Sequence, residues 1–349
     1  MAIKLIFEDP GLNTPRVFLY YSRKSQRNFL YMNKDVKVNE LKRQYTPGYE
    51  PTQEYLDNMP DLQNGEFQGI PIDFVGISDF HLPIRIRQKD GGTQEVTASI
   101  SGSVNLDSVN RGINMSRIIR TFYKSADQVF DINGLEEVLR NYQKDLKSFD
   151  AHILMNFKYR IWQNALVSKK EDGTPEGGWQ YYNVTFDANL DRTGEFKKVV
   201  HFDYIYSSAC PCSTELSLYN AYQEGVYCIP HSQRSIAHIS VEFQDMVWIE
   251  DLLAMCREAI PTETQVFVKR ADEGNFAWLN GANVIFVEDA IRRLYAALSG
   301  CSSIYDFKII CSHRESLHSH NAVAVITKGI PHSIFNHHVT QLEFQGLVC

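Results

Sequence analysis

Apolar and polar residues follow a regular order from Met59 onward. Pro83–Arg87 alternates as a strand, Lys89–Gly92 has the composition of a hairpin turn, and Glu95–Leu106 alternates again. Two helical stretches follow, and the second has an apolar face formed by Leu135, Val138, Leu139, Tyr142 and Leu146. Two further strands are predicted at about 151–168 and 179–190, joined by a polar, glycine-rich segment. The first half therefore reads strand, strand, helix, helix, strand, strand.

The second half repeats this order. Strands are predicted at about 195–208 and 235–243, and one face of the second is formed by Ala237, Ile239, Val241 and Phe243. A helix follows with an apolar face formed by Ile249, Leu252, Leu253, Cys256 and Ile260. A second helix is predicted from about Val287 to Leu298, with Ala290, Ile291, Leu294 and Leu298 facing inward. Strands near 304–311 and 321–327 follow it. We therefore predict an α+β fold with two tandem ββααββ units, at 59–192 and 193–328.

Two segments lie outside this repeated order. Residues 1–58 begin with the strand-like Ile3–Phe7, carry an aromatic and basic stretch at Phe18–Tyr31, and end in the turn-rich Tyr45–Pro51. We expect this segment to be an added arm used in packing or assembly. The tail, 329–349, is loosely patterned, and we expect its three histidines to be solvated or to pack locally.

Composition excludes several classes of function. Charged residues make up 22% of the 349 and hydrophobic ones 44%, as in ordinary soluble proteins. The net charge of −7 argues against a general nucleic-acid binder, although a local basic pocket remains compatible with it. No apolar run approaches the roughly 20 residues of a membrane helix, and the N-terminus lacks the apolar core of a secretory signal. Seven cysteines without a regular spacing favour reduced thiols, so we expect a cytoplasmic protein.

Candidate chemistry is concentrated between Ser207 and Ser235. This stretch contains Cys210 and Cys212, followed by His231. Cysteine sulfur and histidine nitrogen suit Zn²⁺ and related ions, but two cysteines at this spacing do not form the usual structural zinc knuckle. The pair by itself is often structural. We predict a polar loop between Cys210 and His231 that begins at a predicted strand end, where open sites are common.

Two later segments, one with Glu273 and one with Glu315, His318 and His320, supply what a metal site would still need. Glu273 is predicted to lie in a loop after a strand-like Gln265–Val268, and Glu288 opens a helix. Glu315, His318 and His320 lie between the last two predicted strands, where an extended His-x-His pair places both rings on one side. Each residue alone could be a solvated charge or part of a polar turn. Together they predict a metal-dependent hydrolase.

Ten short motifs give the chain its resemblance to the type IB GTP cyclohydrolase family, over residues 59 to 328. The motifs are Met59–Gln63, Gly69–Asp73, Val75–Ile77, Gly112–Arg117, Cys210–Ser213, His231–Ser235, Val247–Glu250, Lys269–Glu273, Phe286–Asp289 and Glu315–His320. The resemblance implies the tunnelling fold, with antiparallel sheets, helices on one face and two units per chain. It also implies a homotetramer with active sites at subunit interfaces. The N-terminal arm and an insertion around Tyr222–Pro230 depart from the family pattern.

The resemblance also implies an activity and a set of site residues. The activity is hydrolysis of GTP at guanine C8, with release of formate and formation of 7,8-dihydroneopterin triphosphate, the first step of folate and pterin biosynthesis. Carried over by position, the residues that would bind a divalent metal (Zn²⁺, Mn²⁺ or Fe²⁺) are Cys210, His231 and Glu273, with Glu315 and His318 as further ligands. The catalytic candidates are Cys210, as a ligand or a proton-transfer group, His231 and His318. Glu288 would hold the guanine edge, and Arg117, Lys269 and Arg270 are candidates for the triphosphate on charge.

Two other functions stay open at this point. A cyclohydrolase of the same fold could take a related purine nucleotide in a different or secondary pathway, because the insertion lies beside the expected site. A binding or assembly protein could also keep the fold without catalysis. That alternative predicts loss of the metal ligands, and Cys210, His231 and Glu273 are all present.

Overall fold

The computed structural model describes residues 3–7, 16–20, 48, 50–58, 69–108 and 110–331. The chain forms two compact units, Met1–Pro60 and Asp61–Cys349. In the first, β1 (Ile3–Phe7) pairs antiparallel with β2 (Arg16–Tyr20), and a short helix, α1, spans Gln53–Asp57. Most of the predicted aromatic and basic stretch, and the three histidines of the tail, lie outside the described residues.

The second unit is built on one sheet of nine strands. They are β3 (Ile72–Arg87), β4 (Thr93–Leu106), β5 (Val129–Phe130), β6 (Ala151–Lys169), β7 (Pro175–Leu190), β8 (Phe196–Ala209), β9 (Ser232–Phe243), β10 (Ile304–His313) and β11 (Ala322–Thr327). Their order across the sheet is β11-β10-β9-β8-β7-β6-β4-β3-β5. Neighbours are antiparallel except for the short β5, which pairs parallel with β3. The two halves of the tandem order therefore form one continuous sheet, joined at β7 and β8.

Six helices accompany this sheet in the described residues. They are α2 (Met115–Tyr123), α3 (Leu135–Leu146), α4 (Pro211–Glu224), α5 (Ile249–Ala259), α6 (Arg270–Ala282) and α7 (Val287–Ser299). None of the helices in the described part of the chain has the length and apolar character that a bilayer crossing requires.

Alternation along the strands explains how the helices are held. In β6, for example, Ile153, Met155 and Phe157 are buried while the residues between them are more exposed. The buried strand faces and the apolar helix faces form one core cluster, in which α3 packs on β6 and β7, and α7 on β10 and β11. The predicted faces of α3, α5, α7 and β9 are all found in or against this core. The predicted α+β class is confirmed, and each half follows the predicted ββααββ order, with α4 and α6 as additional helices in the second half.

Three predicted features are wrong. The segment between Cys210 and His231 is largely helical, because α4 occupies it. Gln265–Val268 is not a strand, and Glu273 lies in the first turn of α6 rather than in a loop. The glycine-rich connection expected at 169–178 is shorter, since Gly177 and Gly178 are already part of β7.

Candidate functional site

Three strand ends bring the Cys210, His231 and Glu315 segments to one edge of the sheet. β8 ends opposite the start of β9, with Ala209 paired with Ser232. β10 ends beside the same point, with His313 paired with Ser235. Because the strands alternate in direction, the residue after β8, the residue before β9 and the residues after β10 must meet. The sheet register thus assembles the segments that sequence alone placed far apart.

Cys210 and His231 are joined through the backbone. The Cys210 amide donates to the His231 carbonyl at 3.1 Å, and the His231 amide donates to Ser213 Oγ at 3.3 Å. Cys210 is the residue before α4, with Pro211 at the first helical position, where a missing N–H costs nothing. Its thiol is therefore held at a helix N-terminus, half-buried, beside the segment that carries the imidazole.

The His231 ring lies between two oxygen acceptors. Its Nδ1 is 3.3 Å from Gln233 Oε1 and 3.5 Å from Glu315 Oε2. The side chains of His231 and Glu315 are only 18% and 13% exposed. Glu315 Oε2 is buried and makes no hydrogen bond to any described residue. A buried carboxylate oxygen of this kind is costly unless a cation or donor satisfies it.

Two buried polar side chains, Tyr206 and His313, pack close to this edge of the sheet. Tyr206 and His313 are hydrogen-bonded between the phenol oxygen and Nε2 at 2.9 Å, and both side chains are buried. Burial lowers the pKa of His313 to about 4 and raises that of the neighbouring Cys311 to about 12. At neutral pH both groups are uncharged, so they serve as packing and hydrogen-bonding partners rather than as reactive groups.

Asp272, the residue before Glu273, attaches helix α6 to strand β6 through hydrogen bonds. The buried Asp272 carboxylate accepts from the backbone amides of Val167, Ser168 and Lys269 and from the Ser168 hydroxyl. Burial favours the neutral acid, but these hydrogen bonds outweigh it and hold the pKa of Asp272 below its usual range. The first turn of α6, with the exposed Glu273, is thereby locked to the end of β6.

The remaining predicted residues lie on several elements. Glu288 is exposed in the first turn of α7, and Arg117 in α2 donates to the Asp145 carbonyl at 3.1 Å. Lys269 is 2.6 Å from Glu176 of β7 in an ion pair, and Arg270 is the exposed first residue of α6. His318 is exposed, and its ring stacks on that of His320 with centroids 4.8 Å apart, as the His-x-His spacing predicts.

Within one chain these residues do not complete a metal site. Among the described residues, no group of three or more histidine, cysteine or acidic side chains is arranged to hold an ion. The structure brings together His231 and Glu315, with Cys210 attached through the backbone. The ligand set with Glu273 and His318 stays a prediction.

Sequence reasoning missed Gln233, Ser208 and Asp272. Gln233 lies inside the recognised motif His231–Ser235 and Ser208 lies two residues before Cys210, but their contact depends on the register between β8 and β9. Asp272 stands inside a recognised motif, where an acidic residue three positions after Lys269 is a common helix-start signature.

A sizeable cavity lined by described residues lies elsewhere. It measures about 750 Å³ and opens at the opposite edge of the sheet, where β3 and β6 begin and β4 and β7 end. Its described lining contains one arginine, Arg192, against four aspartates: Asp73, Asp107, Asp150 and Asp191. An acidic lining is poorly suited to a triphosphate, so we place the candidate site at the His231 edge.

Comparison with known proteins gives consistent matches in sequence. A family model described as type I GTP cyclohydrolase folE2 matches residues 59–324. GTP cyclohydrolase FolE2 of Paracoccus denitrificans is 46% identical over 295 residues, which cover 83% of this chain and 90% of that protein. The protein of the same name from Dinoroseobacter shibae is 47% identical over 298 residues, covering 83% and 79%.

Among solved structures, uricase from Arthrobacter globiformis gives a TM-score of 0.48 with 8% identity, over 75% of this chain and 95% of that chain. This likeness is too distant to bear on activity. The sequence matches extend over most of the chain and include every segment that meets at the His231 edge. The chain therefore belongs to the family of type I GTP cyclohydrolases described as folE2.

Proposed function

We propose that this protein is a metal-dependent GTP cyclohydrolase I of the IB type. It hydrolyses GTP at guanine C8, releases formate and forms 7,8-dihydroneopterin triphosphate, the first step of folate and pterin biosynthesis. Family membership supports the reaction class, a hydrolase acting on a cyclic amidine. The observation that carries the proposal is the meeting of Cys210, His231 and Glu315 at one sheet edge.

The residues at this edge fit a divalent cation. They offer a thiol sulfur, an imidazole nitrogen and a carboxylate, a mixed donor set suited to Zn²⁺ and also to Mn²⁺ or Fe²⁺. The Glu315 carboxylate, whose buried Oε2 has no hydrogen-bond partner in the described residues, is a negative group that a nearby cation would stabilise. When bound, the cation supplies Lewis-acid polarisation and lowers the pKa of water at the site. We assign Cys210, His231 and Glu273 to hold it, with Glu315 and His318 as further ligands.

The chain's own side chains bind and orient the nucleotide. Glu288 accepts from the N–H and NH₂ groups of the guanine edge, and Arg117, Lys269 and Arg270 bind the triphosphate. Lys269 is paired with the half-buried Glu176, so it must exchange this carboxylate for a phosphate group to do so. His318 moves protons during ring opening and closure, since imidazole is the side chain best suited to proton transfer near neutral pH. Cys210 acts either as a ligand or as a proton carrier.

A homotetramer with sites between subunits completes the proposal. It is supported by the incomplete ligand group within the described part of one chain. We place the protein in the cytoplasm, consistent with the free thiols of the six described cysteines. The division into an arm, 1–58, two tunnelling-fold units, 59–192 and 193–328, and a tail, 329–349, is part of the same proposal.

A second candidate substrate follows from the segment beside the site. The end of α4 and the residues after it stand between Cys210 and His231 and expose Tyr222, Tyr227 and Ile229. Such side chains next to a nucleotide site could select a related purine nucleotide in a different pathway. Turnover of GTP relative to other purine nucleotides decides between the two substrates.

The test is incubation of the purified protein with GTP and Zn²⁺, Mn²⁺ or Fe²⁺. Formate release, pteridine absorbance and product mass are measured. We expect Cys210→Ser and His231→Ala to lower kcat/KM by about 100-fold or more. Cys212→Ser, a matched exchange of an exposed neighbouring thiol, should retain activity. Absence of formate with all three metals would contradict the proposal, and faster turnover of another purine nucleotide would favour the second candidate.

A further inference from the structure

Gln233 connects the His231 ring to a buried pair of serines. Its Oε1 is 3.3 Å from His231 Nδ1, and its Nε2 donates to Ser208 Oγ at 2.9 Å. Ser208 Oγ in turn lies 2.8 Å from Ser235 Oγ, and both serines are fully buried. The amide is thus held at both ends between a rigid strand pair and the imidazole.

Glu315 determines which atom donates and which accepts in each of these contacts. A carboxylate oxygen can only accept, and Glu315 Oε2 is 3.5 Å from the same Nδ1 atom. An unprotonated Nδ1 would direct its lone pair at two oxygen atoms, which is repulsive. Nδ1 must therefore carry the proton, and Gln233 must present its carbonyl oxygen to it. The amide NH₂ group is then left for Ser208, as the structure has it.

We infer that Gln233 is a positioning residue that fixes His231 as the Nδ1–H tautomer and so makes Nε2 the atom offered to the cation. The inference rests on the proposed role of His231 as a ligand. A neutral imidazole has one donor and one acceptor nitrogen, so a proton held on Nδ1 leaves the Nε2 lone pair free. The group that fixes a metal-binding histidine commonly sets both its tautomer and the ring orientation. Because Glu315 Oε2 lies on the Nδ1 side of the ring, the ligand role proposed for Glu315 would fall to its other carboxylate oxygen, Oε1.

The first test is the tautomer in the metal-free protein. Two-bond ¹⁵N–¹H correlation spectra of ¹⁵N-histidine-labelled protein identify which ring nitrogen is protonated, and comparison with His231→Gln assigns the resonances. We expect His231 to be Nδ1–H in the wild type and to become a mixture in Gln233→Met, which keeps the side-chain length but has no oxygen. A wild-type His231 protonated on Nε2 would overturn the inference, even if the Met variant failed to fold.

The second test is Zn²⁺ affinity, measured by competition with a chromophoric chelator. We expect Gln233→Met to weaken binding by about 10- to 100-fold. Gln233→Glu retains an acceptor for Nδ1–H and should bind within a few-fold of the wild type. Gln180→Met, the same exchange at a half-buried glutamine of β7, two strands from β9, should leave affinity unchanged.

The results of these tests can contradict the positioning role of Gln233 independently of the proposed function. Equal Zn²⁺ affinity of the wild type and Gln233→Met, or equal losses in the Met and Glu variants, would overturn the positioning role. Absence of GTP turnover by a protein that binds Zn²⁺ and shows Nδ1–H at His231 would overturn the proposed reaction and leave the tautomer assignment standing.

Discussion

At the scale of single residues, paired acidic and imidazole groups recur on the more open face of the sheet. Asp187 of β7 lies between two histidines, 2.7 Å from His152 Nε2 and 3.4 Å from His201 Nε2. Asp203 of β8 is similarly 2.6 Å from Nδ1 of His238 in β9. These contacts cross β6 to β9 in the centre of the sheet, where they add polar cross-strand links to the apolar core on the other face.

The environment of the Asp187 carboxylate predicts that the free energy of unfolding decreases at acid pH. Burial raises the pKa of Asp187, but hydrogen bonds from His152 and His201 outweigh it and lower the pKa from 3.8 to about 2. Since the folded-state pKa lies below the unfolded one, the stabilisation is complete above about pH 4 and is lost as the pH falls toward about 2. We expect the total loss to be about 2 kcal/mol in the free energy of unfolding.

Urea unfolding between pH 6 and about pH 2 measures this loss. The control is Asp187→Asn, which cannot titrate and should show a shallower decrease in unfolding free energy over the same range. Identical pH profiles for the wild type and the variant would contradict the assignment.

At the scale of elements, the β3–β4 hairpin shows how two strands can approach unusually closely. The pairing shifts register between Ile72 and Val75 and again between Ile77 and Phe80, and Asp79 adopts a left-handed φ of 58°. Gly76 faces the partner strand at this point. A Cβ atom there would lie 2.0 Å from the Gly102 carbonyl oxygen and 2.6 Å from Ser103 Cα. Both are backbone atoms, so relief would require a movement of the strand.

We predict that Gly76→Ala lowers the free energy of unfolding by about 3 kcal/mol, because of this overlap. Thermal and urea unfolding of the purified variant measure the change. Gly281→Ala is the matched control, because a Cβ at Gly281 meets no atom within 4 Å and alanine favours the helix in which it lies. A Gly76→Ala protein as stable as the control would show that the strands separate without cost.

At the scale of the whole molecule, helix α4 differs from the core helices because the described residues bury none of its side chains. None of its residues is buried within the chain, and Leu216, Leu218, Tyr219 and Tyr222 are all exposed. A helix of this composition beside an incomplete ligand group fits the proposed assembly, in which another copy of the chain covers it. The exposed side chains and the site would then be completed by the same contact.

We predict a solution mass four times that of the chain, measured by size-exclusion chromatography with light scattering. Leu216→Glu combined with Tyr219→Glu places charges on one helical face and should shift the mass to smaller species. Lys144→Glu, a charge exchange at an exposed position of α3, should leave the mass unchanged. A monomeric wild type, or a double variant with an unchanged mass, would contradict the proposed role of α4.

The sequence by itself determined the elements whose apolar residues face the core. Alternation predicted the strands around the centre of the sheet, and the helical spacing in α3, α5 and α7 predicted the residues found buried there. The apolar pattern did not predict helices α4 and α6. Helix α4 buries no residue and α6 buries only Asp272, so neither has an apolar stripe. The pattern also failed at the start of β3, where the two register shifts interrupt the alternation.

Only the tertiary structure decided which polar side chains meet. His231 and Glu315 are far apart in the chain, and their contact follows from the register that β9 shares with β8 and β10. The Gln233 contact with Ser208 depends on the same pairing. Local residue patterns report burial, because burial repeats along an element. A contact between polar groups on different strands has no such period, so it becomes visible only when the sheet is assembled.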